Sequence, residues 1–564
     1  MSARSTRQVR RAPDLVLVGG RVLTVDAGFS VAQAVAVSDG RISAVGTTAE
    51  IAALADARTE VVDLRGRTLL PGINDSHMHL AWWATTRPPY QLDVSDAVVE
   101  GLDDLTRLVA EQAQRLGPGQ WVIGRGWNTS WIREFHGTGR EPDRRDLDRV
   151  SPENPVLLTH RSGHSAWANS RALELAGITA ETPDPPGGTI VRDPATGQPT
   201  GWLLEGAEGL VSPLVPELSP PERTKAVSDA MAELNRLGVT SVTDAMATPD
   251  ITALYTGMHN AGLLTLRLNL LLNWTSTGGP RNRAATLEEA LRYVGTPSGF
   301  GDDWLRVAGC KLFADGVPPL RTSWMSRPFP GGGCGSLVTA GDGGEEQHRE
   351  LSAMIRLLHR NRFRVGVHAT GDRACEAVAR AFMAVMDEDP WPGARHHIIH
   401  GSLLSARTAR ELAPYGVSVS TNSLIKWQAT DALDPVFPDE ETAGYHVAVR
   451  SLIDAGLHVA DSSDAPITRP DWRQGIETLV LRRARGSGRV SGPGERISRE
   501  QAIRAWTVEG AYQDGLEHVK GSIEVGKFAD FALLGEDILG VDADEIHRIP
   551  VEMTVVNGRV VHTI

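Results

Sequence analysis

With 564 residues the chain can bury a large core and, as a prior, hold more than one domain. Its 41% apolar and 23% charged residues are ordinary for a soluble globular protein, and a formal net charge of −13 argues against nucleic-acid binding driven by phosphate neutralisation. The three cysteines, Cys310, Cys334 and Cys375, form neither a disulfide framework nor a Cys-x-x-Cys zinc pattern, and no apolar run approaches the roughly 18 residues that span a membrane. A cytoplasmic location, a small-molecule partner, and no nucleic acid or membrane follow as expectations, with a homodimer as the candidate assembly.

Residues 1–12 are basic and polar with no apolar segment behind them, and read as a disordered tail rather than a signal peptide. Residues 13–67 read as a β unit. Two short strands flank Gly19-Gly20, and Ala34–Val45 repeats the pattern about Asp39-Gly40, a favoured hairpin turn. Met553–His562 does so again about Asn557-Gly558. An isolated hairpin is marginal in water, so 13–67 and 515–564 are expected to build one β-sandwich domain from both termini.

Between them, residues 68–514 alternate β-rich runs with helical stretches. Expected strands are Thr68–Ile73, Val239–Thr243, Leu266–Leu272, Leu305–Phe313, Arg364–His368, His397–His400, Val417–Thr421 and His458–Asp461. Helices are expected over Glu350–Arg360, Ala374–Met386 and Ala406–Leu412, among others. Eight β-α units in order predict an α/β fold of the (β/α)8 TIM-barrel type, although a doubly wound sheet alternates similarly. The stretch between the first two strands is too long for one helix and its loops. Residues 82–235 are therefore expected to be a large insertion after the first barrel strand, over the barrel mouth.

Several polar residues fall at strand ends. His77 and His79 lie two apart, so on an extended strand they share a face, and neutral imidazole is the commonest metal ligand. Lys311, His368 and His400 end the fourth, fifth and sixth strands, and Asp464 follows the eighth. Each has an ordinary explanation: a lone His packs, a Lys is solvated or ion-paired, and Asp before Ala-Pro starts a turn. Their joint placement on the carboxyl side of five strands, where TIM-barrel active sites sit, is what points to a metal.

Pro71-Gly-Ile-Asn-Asp-Ser-His-Met-His resembles the Pro-Gly-x-x-Asp-x-His-x-His signature of the amidohydrolase superfamily. Lys311-Leu-Phe-Ala-Asp-Gly, His368-Ala-Thr-Gly-Asp-Arg-Ala, Ser463-Asp-Ala-Pro, the stretch from Gly163-His164 to Leu173 and the tail from Gly521 to Asp530 resemble its amidohydrolase-3 branch, which includes N-substituted formamide deformylases. The resemblance implies a barrel with a small β-sandwich. It also implies one ion on His77, His79 and Asp464, a second on His368 and His400, and a Lys311 carboxylated on its amine as the bridge. Zinc is the default for such ligands. An unmodified ammonium beside two dications would be repelled, whereas the carboxylated form, Asp464 and a bridging hydroxide leave a site of about +1.

The implied reaction is hydrolysis of a non-peptide C–N bond, amide or formamide, by a metal-bound hydroxide, with Asp464 as general base and then acid. His164, Trp127 and Asp315 are the candidate substrate contacts. Seven of the fourteen tryptophans fall in or at the edge of the insertion. They form either an aromatic pocket, which suits a substrate with an aromatic or apolar amine part, or the insertion's own core. The relatives' pattern is broken by Asn74 at a usually apolar position, Ile399 where Glu is common, and Pro318-Pro319. A mononuclear deaminase or cyclic amide or imide hydrolase needs no carboxylated Lys311. A non-catalytic metal-stabilised protein would be expected to lack a ligand, and none is missing.

Overall fold

The computed structural model describes residues 12–129, 131–163, 165–185, 188–273 and 282–564. Apart from Ala12, the expected tail lies outside them. The chain divides into two compact units, residues 80–227 and the remainder.

In the larger unit, eight parallel strands follow one another around a single sheet: β1 (Ile73–Met78), β2 (Val239–Ala247), β3 (Arg267–Leu272), β4 (Leu305–Phe313), β5 (Val365–Ala369), β6 (His397–His400), β7 (Ser418–Thr421) and β8 (His458–Asp461). Helices such as Gly344–Arg360, Asp372–Glu388 and Ala406–Leu412 alternate with them. Asp372–Glu388 shows why: Ala374, Ala377, Val378, Ala381, Phe382 and Val385 recur at helical spacing and are all buried. The ring is nearly closed where β1 meets β8. Ser76 Oγ donates to the Asp461 carbonyl at 2.9 Å, the Asp464 N–H to the His77 carbonyl at 2.9 Å, and the His79 N–H to the Ala465 carbonyl at 2.8 Å. This is the TIM-type barrel that the alternation predicts.

The first strand is displaced from its expected place. Thr68–Pro71 pairs with Phe531–Leu534 outside the barrel, and β1 begins only at Ile73. Gly72 lies between the two, hard against Thr240, whose Oγ1 would be 2.1 Å from an added Cβ. The Pro-Gly break therefore separates two strands in two sheets rather than interrupting one.

Two further sheets lie in this unit. The order Arg41–Gly46, Ala34–Ser38, Leu15–Val18, Glu60–Asp63 makes a four-stranded sheet. Arg559–Thr563, Val551–Val556, Phe531–Leu534, Thr68–Pro71, Arg21–Leu23 and Val31–Ala32 make a six-stranded one from both ends of the chain. Leu15, Leu17, Val35 and Val37 from the first pack with Val22, Leu69, Phe531 and Val555 from the second in one core. The hairpins at Asp39-Gly40 and Asn557-Gly558 form as read, with Ser38 opposite Arg41 and Val556 opposite Arg559. Gly19-Gly20 is instead a corner, because Leu15–Val18 and Arg21–Leu23 enter different sheets. Gly19 takes a φ of +71°, and a Cβ on Gly20 would lie 2.4 Å from Leu64 Cδ1, so only glycine fits the turn.

Part of the barrel interior is polar. Asp514 accepts hydrogen bonds from Lys520 Nζ (2.7 Å), Thr243 Oγ1 (2.8 Å), Asn269 Nδ2 (3.0 Å) and Asn74 Nδ2 (3.3 Å), all buried. This network accounts for Asn74. Ile399 packs with Ala245, Leu271 and Ala308, one residue from each of three other strands.

The smaller unit has a six-stranded mixed sheet ordered Gly188–Arg192, Pro199–Glu205, Ser165–Ala168, Val156–His160, Val122–Trp127 and Leu92–Asp93. Helix Leu102–Leu116 lends Leu105 and Val109 to a core that also holds Trp127 and Trp167. Among the described residues no helix is long and apolar enough to cross a membrane.

Candidate metal centre

His77 lies in β1 with its ring buried, and His79 follows one residue past the strand's end. The seam hydrogen bonds described above set Asp464 directly opposite them. Asp464 Oδ1 is 3.3 Å from His77 Nε2 and 3.2 Å from His79 Nε2. The His77 and His400 rings are 5.4 Å apart between centroids, and those of His400 and His368 4.6 Å. One potential ligand atom from each of His77, His400 and Asp464 falls within 4.8 Å of the others. His79, Asp464, His77, His400 and His368 thus form one continuous cluster drawn from β1, β5, β6 and the turn after β8.

Two of these residues are held in an uncommon backbone state. His400 has φ +70° and Asp464 φ +55°. For a non-glycine residue the left-handed region costs about 1–2 kcal/mol, and such strain concentrates at functional sites.

The electrostatics suit a cation. Burial lowers the His77 pKa well below that of a free imidazole, and the Lys311 charge adds to the effect. Burial likewise lowers His368 strongly and takes His400 to about 4. Burial alone would raise the Asp464 carboxyl, but the His77 and His79 rings 3.3 and 3.2 Å away hold it well below the carboxylate range. The result is neutral imidazoles at His77, His368 and His400 beside an ionised carboxylate. Among the described residues neither His77 ring nitrogen has a hydrogen-bond partner although both are buried. Buried polar groups are otherwise nearly always satisfied, so this orphaned pair fits a bound divalent ion.

Lys311 lies buried two residues before the end of β4, its Nζ 4.8 Å from the Phe313 ring centroid, and burial lowers its pKa from 10.5 to about 7. Asp315 lies just beyond, with both carboxylate oxygens in use. Oδ1 accepts from the Thr370 N–H (3.0 Å), and Oδ2 from the Trp324 (2.8 Å) and Gly371 (2.9 Å) N–H groups. It ties the loop after β4 to the loop after β5. Trp127 is fully buried in the smaller unit's core, its indole N–H donating to the Leu158 carbonyl at 2.7 Å. His164 lies outside the described residues.

Two residues to which the sequence reading assigned no role sit against the cluster. Asp75 Oδ1 accepts from the Ser463 N–H at 3.1 Å and the His77 N–H at 3.4 Å, which links β1 to the turn carrying Asp464. Asn422, just past β7, accepts a hydrogen bond from His400 Nδ1 through Oδ1. Asp75 stood in the quoted signature, whereas Asn422 had only its strand-end position as a signal.

The family model for the amidohydrolase family, Amidohydro_3, matches residues 60–562. The chain is 30% identical to an N-substituted formamide deformylase from Arthrobacter pascens, over 97% of each chain. It is 29% identical to the putative amidohydrolase YtcJ of Bacillus subtilis, over 96% of this chain and 98% of the relative. In fold it is similar to a structure described as an uncharacterized metal-dependent hydrolase from Pyrococcus horikoshii, with a TM-score of 0.74 and 21% identity over 94% of this chain and 99% of that one. The family match runs through every barrel strand and into the last hairpin, and the deformylase is matched over nearly its whole length, so this chain belongs to the amidohydrolase family.

Proposed function

We propose that the chain is a metal-dependent hydrolase of non-peptide C–N bonds, acting on small neutral N-substituted amides or formamides. The observation that carries this reading is the buried convergence of His77, His400 and Asp464 within 4.8 Å. The similarity to a formamide deformylase supports the bond type.

His77, His79 and Asp464 would hold one divalent ion, zinc by default, and His368 and His400 a second. When bound, such ions lower the pKa of water to about 7 and polarise a carbonyl. The remaining steps belong to the chain. Asp464, ionised and buried, takes the proton that the attacking water gives up as oxygen bonds to the carbonyl or formyl carbon. It returns that proton to the amine nitrogen as the C–N bond breaks, leaving a carboxylate or formate and an amine. With a pKa of about 7, Lys311 is neutral in about half of the molecules at neutral pH. Its lone pair can attack the carbon of CO2, forming an N–C bond as one C=O π bond opens onto oxygen and a proton is released, to give a carbamate that would supply oxygen ligands to the ions.

The test is metal analysis of purified protein beside a hydrolysis screen of N-formyl amines, N-acyl amines and cyclic amides, with Asp464→Asn as the variant. Two divalent ions per chain, activity lost on chelation and restored by metal, and a kcat lowered about 10²–10⁴-fold in D464N with metal retained are the expected results. Full activity in metal-free protein, or near-normal kcat in D464N, overturns the proposal.

A further inference from the structure

The environment of His400 contains enough fixed donors to assign its tautomer. Ser462 Oγ donates to the Thr421 carbonyl at 2.8 Å, which consumes its only hydrogen. Ser76 Oγ spends its hydrogen on the Asp461 carbonyl, so at the 2.8 Å contact between Ser420 Oγ and Ser76 Oγ the donor is Ser420. Ser462 Oγ is therefore an acceptor toward Asn422, 2.8 Å away, and the atom of Asn422 that faces it is the amide Nδ2. With the amide turned this way, Oδ1 faces His400 Nδ1 and can only accept. The His400 proton is then on Nδ1, and the lone pair is on Nε2. Asn422, Ser462 and Thr421 are all buried, which denies the amide a water-assisted alternative.

We propose that Asn422 is a positioning residue that locks His400 in its Nδ1–H form, so that Nε2 is always the nitrogen presented to the metal, and that Ser462 holds the amide in the orientation this needs. The inference rests on the metal-centre reading above. A ligand histidine whose other nitrogen is anchored has its ring orientation and tautomer set in advance. Without the anchor, part of the population carries the proton on Nε2, where it blocks coordination. A carboxylate at the same position would keep the lock, because it also accepts from Nδ1–H. A Ser462→Ala change would free the amide to turn its NH2 toward Nδ1, which favours the blocking tautomer.

The experiment measures zinc affinity by chelator competition on metal-stripped, reloaded protein for wild type, N422A, N422D and S462A, with the melting temperature of each metal-free protein alongside. N422A should bind zinc about 10–100-fold more weakly at a wild-type melting temperature in the metal-free form. S462A should be weakened in the same direction, and N422D should stay within about threefold of wild type. Should N422A fail to fold, the contrast between S462A and N422D decides alone. Unchanged zinc affinity in N422A, or N422D as weak as S462A, overturns the proposal. Wild type that binds no zinc would defeat the functional reading itself, whereas a zinc-binding wild type with indifferent variants defeats only this inference.

Discussion

Replacing Lys311 with Met separates what the buried amine costs the fold from what it contributes to chemistry. Burial takes its pKa from 10.5 to about 7. At 1.36 kcal/mol per pH unit, that drop corresponds to about 5 kcal/mol for holding the charged amine inside the barrel. The sign follows from counting protons. Below pH 7 folded and unfolded chains both carry the proton, so the folded state bears the whole cost. Between pH 7 and 10.5 only the unfolded chain carries it, so stability rises with pH, and above 10.5 the cost is gone. Met has a similar reach and never bears that cost. Metal-free K311M should therefore outlast metal-free wild type in urea, by at most about 5 kcal/mol near pH 6 and by progressively less toward pH 9. On the proposed carbamate reading, the same variant should also lose hydrolytic activity, because it offers CO2 no amine. Unfolding midpoints in urea across that pH range give the measurement. A pH-independent difference, or a variant less stable than wild type at pH 6, refutes the reasoning.

Two further outcomes concern the scaffold. Asp514→Ala leaves the Lys520 ammonium, 4% exposed, with the Ser241 hydroxyl at 2.6 Å as its one remaining hydrogen-bond partner among the described residues, and breaking such a buried pair should cost about 3–5 kcal/mol. Denaturant titration should show most of the loss recovered in D514A/K520M, and an unaffected single variant would contradict the account. Gly72→Ala drives a methyl into Thr240, a buried β-branched side chain with Oγ1 2.1 Å away. Overpacking of this kind costs about 1–3 kcal/mol, so the melting temperature should fall, and T240A in the same chain should restore part of it.

The barrel was legible because strands buried on both faces read as short apolar runs separated by amphipathic helices, and seven of the eight expected strands lie on observed ones. The first did not, since Thr68–Pro71 and Ile73–Met78 are contiguous in sequence yet separate at Gly72. The crowding at Thr240 that explains the break comes from a residue far along the chain. Gly19-Gly20 misled for a related reason: hairpin and corner share one composition, and only Leu64 distinguishes them. His77, His79, His368, His400 and Asp464 could be collected from the sequence because each lies near the end of a strand or within three residues past one. Asn422 shares that position, but its amide is an unremarkable metal-site signal until His400 Nδ1 is seen against it. The insertion's tryptophans admitted two readings from composition, and for Trp127 burial in the smaller unit's core is what the fold displays.

The seam between β1 and β8 sets a schedule for the proposed centre. Asp75 and Ser463, joined across it, are 388 residues apart in sequence. At translation rates of 5–20 residues per second, about 20–80 s pass between synthesis of the first histidine pair and of Asp464. An ion arriving in that interval meets two imidazoles on an open strand. The full ligand set forms only when the last strand docks, so selection among competing metals falls to the closed ring, and every ion retained there adds its binding free energy to keeping the ring shut.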